Sequence, residues 1–202
     1  MIQPNYKQQL NIFIFLKRII DISFAVFCLP FAILLIGIFS ILIKLESPGP
    51  LFYIQERVGQ YGRYFKVYKL RSMFIDAEKD GPKWALEKDP RVTKVGRFMR
   101  RTKIDELPQF INILRGEMSL IGPRPERPIF TAEFEEKYPG FTKRLLVKPG
   151  LTGLAQVSGG YNISPKVKLN LDLYYIEKMG IKLDMQILFK TIKVVCSGYG
   201  SR

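Results

Sequence analysis

Between Ile19 and Ile43 the chain reads IIDISFAVFCLPFAILLIGIFSILI, with Asp21 its only charge and Pro30 near its middle. As a continuous helix this would run roughly 38 Å, longer than a hydrocarbon core of ~30 Å. A secretory signal is disfavoured, because the apolar run is too long and no small-residue cleavage site accompanies it. That leaves a spanning helix, a re-entrant hairpin or a buried core helix. Pro30 removes one helix hydrogen bond and crowds the preceding turn, so each half covers only about half the core thickness. Lys17 and Arg18 precede the segment, and Lys44 and a basic remainder follow it. Spanning would send one basic flank out of the cytoplasm, against the positive-inside tendency. Turning back at Pro30 keeps both basic ends on one side, with neighbouring side chains serving the freed backbone groups. The re-entrant hairpin is the favoured expectation.

Turn residues cluster at Glu46-Ser47-Pro48-Gly49-Pro50, which divides the chain into a membrane anchor, 1–46, and a catalytic part, 47–202. LFYIQERVG (51–59) and RYFKVYKLRSM (63–73) read as a hairpin around Gly59-Gln60-Tyr61-Gly62. Asp76–Pro90 reads as a polar loop with a short helix. From Thr93 a helical pattern sets Val95, Phe98, Met99 and Thr102 against Lys94, Arg97 and Arg101. Leu107, Phe110, Ile111 and Leu114 continue as a second helix that Gly116 can end. Thr131–Tyr138 reads as a short helix, Lys148–Gly160 as a glycine-punctuated loop, and Pro165–Cys196 as a long helical pattern broken near Gly180. The fold class expected is α+β and mostly helical: a re-entrant membrane helix-hairpin plus a small cytoplasmic catalytic domain with a short β-hairpin and amphipathic interfacial helices.

The 202 residues carry a net charge of +14, which favours anionic partners without choosing among them. There is no histidine, so imidazole bases, histidine zinc ligands and histidine triads are excluded. Cys28 and Cys196 form no metal or redox motif. Asp105 and Glu106, in KIDELPQF, stand side by side directly after the basic run VGRFMRRTK. Taken alone, the pair reads as an N-cap with an acid in the first helical turn. It also suits a carboxylate nucleophile beside a metal-binding carboxylate, because carboxylates attack phosphorus and magnesium takes oxygen ligands while bridging phosphates. Arg124, in the stiff loop Gly122-Pro123-Arg124-Pro125, presents a planar fork suited to phosphate. Together these features suggest a magnesium-dependent diphosphate site beside a membrane, where a soluble nucleotide meets a lipid.

SPGPLFYIQERVG, YKLRSM, DPRVTKVGRFMRRTKIDELPQFINILRGEMSLIGPRP and KPGLTGLAQVSGG, in that order, resemble the bacterial sugar transferase family, the monotopic phosphoglycosyl transferases. The resemblance implies transfer of a sugar 1-phosphate from a UDP-sugar to polyprenol phosphate, releasing UMP, at the start of a surface glycan such as exopolysaccharide or capsule. It implies Asp105 as covalent nucleophile, Glu106 as its partner in holding magnesium, and Arg124 as a phosphate ligand. Lys69, Arg71, Arg100 and Lys148 are further phosphate-binding candidates, and Pro123, Pro125, Gly153 and Gln156 candidates for the nucleotide or sugar loop. Lys17, Arg18, Asp21 and Pro30 match the family's membrane anchor. Many members carry Gly-Arg after the AQV stretch; here Gly159-Gly160-Tyr161 stands, and Arg144 or Lys148 is the expected replacement. The resemblance further implies the cytoplasmic face of a bacterial inner membrane, contact with its anionic leaflet, the minimal anchor-plus-catalytic form, and an anchor that permits a homodimer. Two other readings compete: an inactive relative that binds lipid phosphate, and a membrane-tethered nucleic-acid binder. Intact Asp105, Glu106 and Arg124 oppose the first. The second lacks any recognition helix or RNA motif, so no nucleic-acid partner is expected.

Overall fold

The computed structural model describes residues 4–79, 81, 89–159 and 163–197, with 4–10 described by backbone only. Helix α1 (Pro4–Glu46) runs through Pro30 without interruption. The break expected there is therefore not a break in secondary structure. One missing hydrogen bond is tolerated in a long apolar helix whose other backbone pairs are intact.

Along α1, Asp21, Ala25, Ala32, Phe39 and Ile43 are buried, with Cys28, Leu35 and Ile36 partly so. Their spacing follows the helical repeat, so they form one stripe. That stripe joins two clusters of the catalytic part. Ala25 and Ala32 pack with Phe110, Ile113 and Leu120, and Phe39 and Ile43 with Leu70 and Met99. The other faces of α1 are apolar and exposed: Phe27 is 73% and Leu34 63% accessible.

Three charged residues fasten the start of this stripe. Lys17 pairs with Asp184 at 2.6 Å. Arg18 donates to the carbonyls of Ile113 and Leu114 at 2.6 and 3.0 Å, and Asp21 accepts from the Leu120 amide at 2.9 Å. At the other end, Glu46 accepts from the amides of Lys94 and Val95, capping the next helix.

Strands β1 (Phe52–Val58) and β2 (Tyr64–Leu70) form the expected antiparallel hairpin. Helix α2 (Lys94–Thr102) begins where the sequence pattern places it and is capped by the Thr93 side chain. A 3-10 turn, Ile104–Gln109, then carries Asp105 and Glu106 into α3 (Phe110–Leu114), and Gly116 follows with φ +79°. Strands β3 (Ser119–Ile121) and β4 (Gly150–Thr152) pair in parallel. Between them lie α4 (Pro128–Lys137) and a 3-10 turn at Phe141–Leu146. Helices α5 (Leu154–Ser158), α6 (Pro165–Lys178) and α7 (Ile181–Ser197) complete the chain, with the break near Gly180 as expected. Most of Asp76–Pro90 lies outside the described residues.

The expected loop at Lys148–Gly160 is corrected: it holds β4 and α5. Its glycines serve close crossing. A Cβ on Gly150 would lie 2.1 Å from the Gly122 nitrogen, and one on Gly153 2.1 Å from the Gly122 oxygen. Strand β4 can therefore lie directly against the Arg124 loop. On α7, Ile181, Met185, Phe189 and Ile192 form an exposed apolar row.

Candidate active site

The turn that presents Asp105 begins at Lys103, whose backbone is left-handed (φ 61°). This conformation is uncommon for a residue with a Cβ. It ends α2 and swings the next residues inward, so that Asp105 and Glu106 are both buried. Asn112 of α3 fixes the turn to the hairpin: its Nδ2 donates to the Lys66 carbonyl at 2.7 Å, and its Oδ1 accepts from the Tyr68 amide. Lys69, at the end of the same strand, is thereby brought to the acidic pair.

The two carboxylates are treated differently. Glu106 accepts a two-pronged contact from Arg124, at 2.6 and 3.2 Å, and a third from Lys69 at 3.4 Å. Burial would raise its pKa, but Arg124 and Lys69 outweigh burial and hold it well below the usual range. Asp105 keeps a buried oxygen, Oδ1, with no hydrogen-bond partner. Burial, and then the negative Glu106, push its pKa up against the opposing pull of Lys69, Arg100 and Lys103. One acid is neutralised and fixed. The other keeps one buried oxygen without a hydrogen-bond partner.

Both line a cavity of about 270 Å³ that also receives Lys69, Arg71, Arg100, Lys103 and Arg124, with Phe52, Tyr53, Phe74 and Phe130 on its walls. Arg71 reaches it with a committed guanidinium, since Nη1 donates to the Pro48 carbonyl and Nη2 to that of Ser47. Arg100 donates from Nε to the Ser72 hydroxyl at 2.8 Å. Pro123 and Pro125 act through their carbonyls, which accept from the Gly150 amide and from Arg57. Gln156 belongs to a second cavity, of about 310 Å³, and Gly153 starts the short helix that carries it.

Two expected phosphate ligands are not brought to the acidic pair. Lys148 lies on neither cavity wall. It sits beside Arg18 and the end of α3, where burial and then Arg18 lower its pKa. Arg144 is 2% exposed and binds Asp172 at 2.9 and 2.6 Å and the Arg124 carbonyl at 2.8 Å. It supports the Arg124 loop from behind. Gly160 and Tyr161, where the family arginine was sought, lie outside the described residues.

Sequence reasoning missed Lys168 and Glu126. Lys168 lines both cavities and pairs with the buried Glu126 at 2.8 Å. A signal was present: Lys168, Asp172 and Tyr175 share the helical face that carries Leu169 inward, so a polar stripe occupies core positions.

For a metal, the described residues hold no cluster of three or more potential ligands. Two adjacent carboxylates with one unpartnered oxygen do suit magnesium, which binds through one or two carboxylates and completes its shell with substrate phosphates and water.

Comparison with known proteins shows the family. A profile of the bacterial sugar transferase family matches residues 12–198. The chain is 45% identical over 194 residues to UDP-N-acetylgalactosamine-undecaprenyl-phosphate N-acetylgalactosaminephosphotransferase of Aeromonas hydrophila, covering 95% of this chain and 46% of that protein. It therefore spans about half the length of that relative. A Bacillus subtilis (strain 168) protein provisionally named undecaprenyl-phosphate N-acetylgalactosaminyl 1-phosphate transferase is 62% identical over 130 residues, 64% of this chain and 73% of its own. The UDP-glucose:undecaprenyl-phosphate glucose-1-phosphate transferase of Escherichia coli (strain K12) is 39% identical over 182 residues, 88% of this chain and 39% of its own.

Proposed function

The chain belongs to the bacterial sugar transferase family, and on that premise we propose that it transfers a sugar 1-phosphate from a UDP-sugar to polyprenol phosphate. One observation carries the roles within the site: of the two buried carboxylates, Glu106 is bound by Arg124 and Lys69, while Asp105 retains an unpartnered oxygen. In the first half-reaction that oxygen attacks the sugar-bearing phosphorus, the bond to the bridging oxygen breaks, and UMP leaves. In the second, an oxygen of polyprenol phosphate attacks the same phosphorus. The Asp105 acyl–phosphate bond breaks, giving polyprenyl-diphosphate sugar and the free carboxylate. Polyprenol phosphate carries its own negative charge, and Lys69, Arg100 and Lys103 favour the carboxylate form of Asp105, so neither step calls on the histidine this chain lacks.

Lys69, Arg100 and Lys103 favour the ionised Asp105, and with Arg124 they hold phosphate charge as it moves. Asp105 and Glu106 would hold magnesium, which would supply further neutralisation of the diphosphate. The aromatic walls at Phe52, Tyr53, Phe74 and Phe130 suit the nucleotide base. N-acetylgalactosamine, named in two of the relatives, is the first donor sugar to try.

The anchor is read as staying in one leaflet along an unbroken α1. Residues 17–21 and 43–47 are both fastened to the catalytic part, which keeps both basic ends on one side, the cytoplasmic one. Pro30 is on the exposed face, so its ring opens that side and any bend closes toward the protein. The α7 row adds a second apolar contact with the lipid. The test is UMP release by the nanodisc-held protein with undecaprenyl phosphate, magnesium and a panel of UDP-sugars. Release with one sugar, abolished by chelator, supports the reading. Silence across the panel from folded protein rejects it.

A further inference from the structure

The second cavity is apolar and shares Lys103, Glu106, Arg124 and Lys168 with the dyad cavity. We propose that this chamber buries the first isoprene units of the acceptor, with the acceptor phosphate at that shared wall. The inference rests on the acceptor assigned above and adds a place for its chain.

The walls decide what fits. Leu107, Leu120, Leu151, Val157, Leu188 and Val194 surround the space. The hydroxyls of its three threonines are already used: Thr102 donates to the Phe98 carbonyl at 2.9 Å, Thr191 donates to the Ile187 carbonyl at 2.8 Å, and Thr152 and Thr191 lie 2.7 Å apart. A sugar placed here would leave most of its hydroxyls against aliphatic carbon. A branched hydrocarbon would not.

The charge is at the correct end. Three cations and one carboxylate stand on the shared wall. An anionic head there would lie next to a phosphosugar on Asp105, while its tail stayed in the chamber. Phe24 of α1 lines the same chamber, so the helix that carries the apolar outer face also borders the tail. The competing occupant is an N-acetyl group, whose N–H could satisfy the buried, unpartnered Oε1 of Gln156.

Leu151→Trp and Val194→Trp fill the chamber from two elements, and Lys193→Trp, exposed on α7, is the control. In the absence of acceptor, the burst of UMP should stay near the parent level in all three. With undecaprenyl phosphate, kcat/KM for transfer should fall about tenfold or more in the two chamber variants only. The loss should shrink for an acceptor with a single isoprene unit. A photoactivatable prenyl phosphate should crosslink to 151–157 and 188–195. The proposal is overturned if burst and transfer fall together in folded protein, if transfer is unchanged, if the choice of sugar changes instead, or if crosslinks map elsewhere. If the parent releases no UMP, the donor assignment fails, and the crosslink map still decides the chamber.

Discussion

Two buried ionic clusters stand back to back across the Arg124 loop. Behind it, Arg144 binds Asp172, and Glu126 is held by Lys168 with Arg144 and Arg57 nearby. In front, Glu106 is held as tightly by Arg124 and Lys69, but Asp105 keeps an oxygen with no partner. The carboxylates are buried in both, although the front cations are more exposed. What differs is completion. The rear cluster is satisfied and acts through the shape it gives the loop, since Arg144 also holds the Arg124 carbonyl. The front cluster is left one contact short at a cavity wall, which is what a reacting group requires.

Asp105→Asn breaks the comparison most sharply. UMP release should fall by about 10⁴-fold or more, as for loss of other covalent nucleophiles. The same change should raise thermal stability. The folded pKa of Asp105 lies above its ordinary value of 3.8, so its ionised form is disfavoured by the fold. Its contribution to stability is present below that ordinary value and lost as pH rises through the raised one. The gain in Tm should therefore be absent in acid and present at neutral pH, at about 2–4 °C per kcal/mol relieved.

Arg144→Met should do the reverse. Removing one partner of a fully buried pair costs about 3–5 kcal/mol, read as a drop in the denaturation midpoint. Arg144→Met with Asp172→Leu should recover most of that stability, since the remaining charge is then gone. A double variant no more stable than the single one would show that Arg144 matters through the Arg124 carbonyl.

A smaller effect tests the coupling within the pair. Asp105 must be ionised to attack, so the UMP burst should rise with pH through a pKa above 3.8. Glu106→Gln removes the adjacent negative charge while Lys69 and Arg124 remain, and should move that rise to lower pH. An unmoved profile would mean that burial alone sets Asp105. Smallest is Glu46→Ala, which deletes the contact between the end of α1 and the first amides of α2. It should cost about 1 kcal/mol in thermal unfolding, with the pH profile unchanged.

Much of this was legible because it is local. The apolar run of α1, the hairpin, the start of α2 near Thr93 and the acids after α2 each depend on neighbours in sequence. The rest depends on pairs far apart. β3 and β4 are three-residue strands joined in parallel across α4, too short for any periodicity to register. The glycines at 122, 150 and 153 looked like loop punctuation, but each makes room for another's backbone. Arg144 looked like a phosphate ligand because nothing local announces Asp172 as its partner. Nor does the sequence show that Lys17, Arg18 and Asp21, read as an anchor signature, clamp α1 to α7, α3 and β3.

The most direct measurement is peptide mapping by mass spectrometry after mixing the protein with its UDP-sugar and no acceptor. The expected result is a sugar-phosphate adduct on Asp105, formed with UMP and discharged by undecaprenyl phosphate. An adduct on Glu106, or UMP released only when acceptor is present, would contradict the division of roles between the two carboxylates.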